Sequence, residues 1–441
     1  MGAMREPETW DKREVVTPTS FICNLKQKPK TWEVDWYANI RSWHNLYCMK
    51  KKIIIPSVLG ILLFLFIISQ VISGGKIELD WESNNNLIKL PDTICLNVYV
   101  ENSGSMNGYM CNGSNLKDAV YDYVSDLKKN TTTCDLFYIN SQIIPCKVSL
   151  DDYIKNLTPS SFAKAGGNLK DTDLRNIFKL IMNKHEVNTV SVFVSDCILD
   201  IPESATDFFG NCQVSIKNTF NEALAKYPNL GVEIVKLQSK FDGYWYCGKN
   251  KQVLNGVKRP YYIWVIGDKN ILAMLNEKVP VAKIIGGIDD YCAYSTSQPI
   301  PFDIDKKRYA VNHSDKINVE VLVDLRPSLQ EESLLESIYQ YSPENPVQTK
   351  VMSVRPISKP DSRFSHVINL ELSSPQTLKS ASISLNYPEM AQWVKLSNDS
   401  TGIYENSIDK TTGIQYLIQG VADAYRDHLN FGTIEFNLKN K

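Results

Sequence analysis

Hydrophobic and polar positions divide the chain into regions with different periods. From Ile53 to Gly75 the sequence runs without a charge, directly after Lys50, Lys51 and Lys52. At about 1.5 Å per residue this run is long enough to cross roughly 30 Å of hydrocarbon as a helix. From about residue 90 to 280, short apolar runs alternate with helical spacings. ICLNVYV from Ile94 and TVSVFVSD from Thr189 suit buried strands, and so do GVEIVKL and YYIWVIGD further on. Leu116, Val120, Tyr123, Val124 and Leu127 mark one amphipathic helix, and Leu174, Ile177, Phe178 and Ile181 mark another. A further helix is predicted over Ser215 to Tyr227, and one begins at Asn270. Such a βα series implies an α/β fold with a doubly wound, mostly parallel sheet.

Beyond Pro299 the alternation of strands and helices stops. INVEVLVDL, HVINLEL, ASISLNY and GTIEFNL are alternating or β-branched, and polar turns such as SPENP and SKPDS separate them. That pattern predicts a C-terminal antiparallel β-sandwich, with a helix from Gly413 through His428 packed on it. The expected organisation is therefore 1–52 as a tail, 53–75 as one transmembrane helix, 76–298 as the α/β domain and 299–441 as the sandwich.

The flanks of the apolar run set its direction. The first 52 residues carry ten Lys/Arg against six Asp/Glu, whereas KIELDWESNNN after the run is acidic. The positive-inside rule places the N-terminus in the cytoplasm and the bulk outside it, in the periplasm if the source is a diderm bacterium. Trp32, Trp36, Ile40, Trp43 and Tyr47 recur at helical steps between Lys/Arg residues. Such a face suits either the headgroup plane of a lipid bilayer or a partner's helix.

Composition narrows the partners. Hydrophobic residues make up 43% and charged residues 22%, as in folded domains, and the formal net charge is −1. Without a basic excess there is no overall drive toward phosphate backbones, so nucleic acid is not an expected partner. Of ten cysteines, eight follow the apolar run, an even number that fits an oxidising compartment. In TCDLFYINSQIIPCK a hairpin centred on Asn140 and Ser141 would set Cys134 opposite Cys146 and allow a disulfide. No C-x-x-C occurs and the five histidines are scattered, which leaves zinc clusters without support.

Two predicted strand ends carry candidate chemistry, and in open parallel sheets ligands gather beyond the carboxyl ends of strands. The first ends in Glu101-Asn102-Ser103-Gly104-Ser105-Met106, the later one in Ser195-Asp196. A carboxylate and two hydroxyls on one tight loop, facing a second carboxylate, offer the hard oxygen ligands that Mg²⁺ or Ca²⁺ prefers. The bland alternative is that the serines only turn the chain and that Asp196 caps a loop.

ENSGSM after a buried strand, GGN before a helix and VSD after another strand resemble a von Willebrand factor A domain. That resemblance, over about residues 90 to 280, implies a metal-ion-dependent adhesion site. Carried over by position, Ser103 and Ser105 match its two serines and Asp196 its third-loop acid. Glu101 stands where the family has Asp, and Asn168, with Thr172 nearby, stands where the family has Thr. The resemblance implies Mg²⁺, with Ca²⁺ or Mn²⁺ as alternatives, and a partner protein whose acidic residue completes the ion's coordination.

Other patterns weigh little. SDLK and SFAK lack the companion motifs of serine acyl enzymes, and no Gly-rich phosphate loop is present. SKFDGYWYCGKN, 239 to 250, reads as an aromatic insertion between two strands, suited to an interaction surface or to a local core. No nucleophile and base can be nominated, so the expectation is not an enzyme. It is a membrane-anchored protein-binding module with a metal-type site. The rival is a structural subunit of a secretion, envelope or defence complex with a degenerate, metal-free site.

Overall fold

The computed structural model describes residues 76–441 except 82–89, 170–171, 202–206, 248–249, 287, 295–299, 312–314, 360–361, 388–389, 402–407 and 429–430. The Trp-bearing tail and the apolar run 53–75 lie outside the described residues. Among the described residues no helix is long and apolar enough to cross a membrane.

The strands and longer helices run in the order β1 (Lys76–Asp80), β2 (Cys95–Glu101), α1 (Asn115–Lys129), β3 (Thr133–Ile139), β4 (Ile143–Cys146), α2 (Leu174–Lys184), β5 (Thr189–Ser195) and α3 (Phe208–Lys226). They continue with β6 (Leu230–Cys247), β7 (Asn250–Asp268), α4 (Lys269–Lys278), β8 (Ile288–Ala293), β9 (Phe302–Ile304), β10 (Arg308–Ala310) and β11 (Lys316–Val323). Last come β12 (Tyr341–Pro343), β13 (Thr349–Pro356), β14 (His366–Ser373), β15 (Ser380–Leu385), α5 (Ile414–His428) and β16 (Gly432–Asn440).

Seven of these strands form one sheet in the order β4-β3-β2-β5-β7-β6-β8. The doubly wound, mostly parallel sheet expected from the sequence is not what forms. Only β2 with β3 and β2 with β5 are parallel. The remaining neighbours, β3 with β4, β5 with β7, β7 with β6 and β6 with β8, are antiparallel. The physical reason lies in β6 and β7. They follow one another without a helix, and two strands joined by a short turn can only pair antiparallel, since a parallel neighbour needs a crossover. The stretch 239 to 250 is not an insertion, because the two strands extend through it as one hairpin paired from Leu230–Asp268 out to Cys247–Asn250.

The later strands form two antiparallel sheets, β10-β1-β16-β15-β12 and β13-β14-β11-β9. β1, from ahead of the α/β segment, lies between β10 and β16. Apolar residues at every second position face inward along β16 (Ile434, Phe436, Leu438) and β11 (Ile317, Val319, Val321, Val323), while the positions between are more exposed. One hydrophobic cluster runs from Tyr99, Phe193 and Trp264 of the seven-stranded sheet through α2 and α3 to Val319, Ile368 and Ile383, so packing is continuous across position 299. α5, expected to lie on the later sheets, crosses α3 closely: a Cβ on Gly420 would sit 2.6 Å from the Gln213 carbonyl oxygen. The other face of the large sheet packs a second cluster, in which Leu116, Val120, Val124 and Leu127 of α1 cover Leu96, Val98 and Val192.

The register of β3 and β4 differs from the expected pairing of Cys134 with Cys146. The hairpin turns about Ser141 and pairs Leu136 with Cys146, leaving Cys134 further along the strand. Cys134 and Cys146 are free thiols, partly buried, and burial pushes both above the ordinary thiol range.

Candidate functional site

The sheet order creates the site. β2 connects through α1 to β3 on one side, whereas the chain after β3 returns to β5 on the other side. The carboxyl ends of β2 and β5 therefore lie side by side at a switch in strand order, where two loops part and leave room for a ligand. Glu101 closes β2, Ser195 closes β5 and Asp196 follows it directly. Glu101, Asn102, Ser103, Ser195 and Asp196 are all buried.

The first loop turns at Ser103–Gly104 and enters a 3₁₀ turn, Ser105–Met110. The hydroxyls of Ser103 and Ser105 are 3.1 Å apart and share one hydrogen bond. The Asn102 N–H donates to the Ile139 carbonyl at 3.1 Å and the Gly104 N–H to the Leu169 carbonyl at 2.9 Å, which ties this loop to the end of β3 and to the loop before α2. On the second strand end, the Ser195 hydroxyl donates to Glu101 Oε2. The Cys197 N–H donates to Ser195 Oγ at 2.8 Å, and the Ile198 N–H reaches Asp196 Oδ1 at 3.4 Å. Cys197 holds a left-handed φ of 54°, a strained conformation for a residue with a Cβ. Its Sγ accepts from Trp264 Nε1 at 3.3 Å, which helps to fix the turn that presents Asp196.

Electrostatics sets the two carboxylates against each other. Burial raises Glu101 well above the usual carboxylate range and the nearby Asp196 charge raises it further, while hydrogen bonds from Ser195 and Ser103 oppose the shift. Burial also raises Asp196, against the nearby Ser105 hydroxyl and the positive field of Arg259. Two like charges withdrawn from water are stable together only if a proton or a cation is shared between them.

The donor set can be tested for a hard divalent ion on unsatisfied atoms. Asp196 Oδ2 is buried without a hydrogen-bond partner, and so is Thr172 Oγ1. Glu101, Ser103, Ser105 and Asp196 converge as oxygen donors, and an orphaned carboxylate oxygen is what an ion or a water would satisfy. These four fit such an ion. Thr172 is half-buried and Asn168 exposed, on the segment between the short helix Pro159–Ala165 and α2. The Asn168 N–H bonds to Ser141 Oγ at 3.0 Å, and that segment reaches the first loop through the Leu169 carbonyl. Among the described residues no cluster of three or more His, Cys, Asp or Glu side chains occurs, so hydroxyl or amide oxygens would have to complete the coordination.

Sequence reasoning missed three participants. Ser195, which holds Glu101, stands in VSD beside the nominated Asp196. Asn102 is wholly buried, with both amide atoms lacking hydrogen-bond partners, beside the nominated serines. Arg259 is buried at the start of the apolar run YYIWVIGD, with Nη1 donating to the Ile408 carbonyl at 3.3 Å and its guanidinium 5.7 Å from the Phe241 ring. A cation entering an apolar strand was the available signal.

No family model and no curated protein matches the chain.

Proposed function

We propose that the chain is a non-catalytic protein-binding module, held at a membrane by the apolar run 53–75 with its N-terminus in the cytoplasm. In this reading the strand-end site takes a divalent ion, Mg²⁺ before Ca²⁺ or Mn²⁺, and meets an acidic residue of a partner protein. The resemblance to von Willebrand factor A domains supports it at the loops, though not in the strand directions. The observation that carries it is the pairing of two buried carboxylates, Glu101 and Asp196, beside the Ser103 and Ser105 hydroxyls, with Asp196 Oδ2 unsatisfied. Glu101, Ser103, Ser105 and Asp196 would hold the ion, with Thr172 or Asn168 supplying a further oxygen from the facing loop. A bound ion supplies positive charge that stabilises the carboxylate pair and attracts a partner's acid. Ser195 orients Glu101, and Arg259 lowers the cost of the Asp196 charge.

Arg259 also supports a second reading, that of a structural subunit of a membrane-associated complex. Its charge near Asp196 and one proton on Glu101 would balance the site without any ion.

Thermal melting of the full chain in mild detergent, with Mg²⁺, Ca²⁺, Mn²⁺ or chelator, separates the two readings. Stabilisation by ion that Ser103→Ala and Asp196→Ala each abolish is the expected result, by linkage of binding to folding. Melting that is unmoved by ion or chelator leaves the metal-free subunit.

A further inference from the structure

The hairpin of β6 and β7 outruns its sheet. β8 pairs with β6 only between Glu233 and Leu237, and β5 pairs with β7 only between Tyr262 and Ile266. Beyond these points, among the described residues, the two strands have only each other as strand partners, out to Cys247 and Asn250. The arm's inner face is covered. Phe241, Trp245 and Leu254 are buried, and Phe241 packs edge-on against Tyr109 of the 3₁₀ turn, with ring centroids 4.9 Å apart. Gly243 lies so close to Gly108 that an added Cβ would be 2.7 Å from the Gly108 Cα.

The outer face has a different composition. Cross-strand pairing sets Tyr244 beside Val253, Tyr246 beside Lys251, and Lys240 beside Lys258. Tyr244 and Val253 are exposed. The Lys251 ammonium stands 3.7 Å from the Tyr244 ring centroid and 5.6 Å from that of Tyr246, so one cation is held between two rings. Lys240 is paired with Asp242 at 2.9 Å, while Lys251 and Lys258 have no ion pair among the described residues. The exposed stripe is thus aromatic and net positive on a chain whose overall charge is −1.

We infer that this arm is a docking surface for an acidic, extended segment of a partner protein, which lies along the Tyr244–Lys251 face with its carboxylates on Lys251 and Lys258 and an apolar or aromatic side chain against Tyr244 and Val253. Charge complementarity selects the acidic partner, and the exposed rings favour a segment with side chains to stack over charge alone. The arm packs on the turn that begins at Ser105, beside the strand-end site. The inference deepens the protein-binding reading and rests on it for the partner's class, but not for the metal.

The test uses the full chain in mild detergent and two synthetic probes, a glutamate–tyrosine copolymer and polyglutamate of the same length, with binding followed by fluorescence anisotropy. The copolymer is expected to bind more tightly than polyglutamate. Tyr244→Ala, which changes no charge, should weaken copolymer binding roughly tenfold and polyglutamate binding little, and Lys251→Glu should weaken both. Binding should fall with added salt. Equal affinity of wild type and Tyr244→Ala for the copolymer overturns the inference. So does Tyr244-dependent binding to phosphatidylserine vesicles with none to the copolymer, which would make the arm a lipid contact, or Tyr244-dependent self-association in light scattering, which would make its occupant a second copy. Copolymer binding in chelator, beside a melting temperature that no ion moves, keeps the arm while the metal reading fails. An ion-dependent melting shift that survives Tyr244→Ala beside unchanged copolymer binding keeps the metal reading while the arm fails.

Discussion

The root and the arm of the β6–β7 hairpin belong to the same two strands yet obey different rules. At the root, from Leu230 to Leu237 and from Tyr261 to Ile266, every residue is buried, because sheet neighbours flank both strands and side chains cover both faces. Along the arm, burial alternates: Phe241 and Trp245 are covered while Tyr244 is open. The root therefore reads as continuous hydrophobic sequence in β7, as the same broken only by Glu233 and Lys236 in β6, and the arm as alternation. Environment on each face, not strand identity, decides which residues a strand tolerates.

The largest expected effect lies at the root. Trp264 is fully buried and packs edge-on against Phe178 at 4.8 Å, so Trp264→Ala should cost about 3–5 kcal/mol in urea denaturation. A loss below about 1 kcal/mol would show that the root is no tighter than the arm.

Next comes an ionisable group inside that same root. Glu233 is buried on β6 and accepts from Asn276 Nδ2 at 2.6 Å, and burial pushes its carboxyl up to about 8. A folded-state value above the unfolded one means that the protonated form stabilises the fold. That contribution is complete below the ordinary value of 4.5 and is lost as pH rises through about 8. Stability should fall by up to about 1.4 kcal/mol per pH unit across this window. Glu233→Gln should reduce the slope, with Glu101 and Asp196, whose carboxyls burial also raises, keeping the remainder, and an unchanged slope in denaturation at pH 5, 7 and 8.5 would assign it to those two.

A smaller effect is expected where arm meets turn. Gly243→Val places atoms against the Gly108 backbone and should cost about 1–3 kcal/mol by overpacking. Limited proteolysis within 239–246 or 251–257 should then run faster than in wild type. An arm that stays protected would mean that its inner face is held by Phe241 and Trp245 alone. Smallest of all, Tyr244→Ala should change stability by less than about 0.5 kcal/mol, since its ring covers nothing in the core. A larger loss in the same denaturation assay would erase the distinction between the arm's two faces.

Periods of two and of three to four residues are local properties. The positions of β2, β5, α1 and α2 and the alternation in β11 and β16 were therefore legible in the chain, as were the loops carrying Glu101, Ser103, Ser105 and Asp196. Pairing partners are not local. Nothing in GVEIVKL or YYIWVIGD states that the two strands run antiparallel, because a strand buried on both faces looks the same in either direction. The register that moves Cys146 opposite Leu136 depends on a one-residue shift of a turn. Ser195 bound to Glu101, Arg259 acting on Asp196, β1 set between β10 and β16, and α5 crossing α3 at Gly420 each join residues far apart in sequence. Composition and period determined which segments would be buried. Only tertiary packing, through the competition of those segments for shared faces and edges, decided what each was buried against.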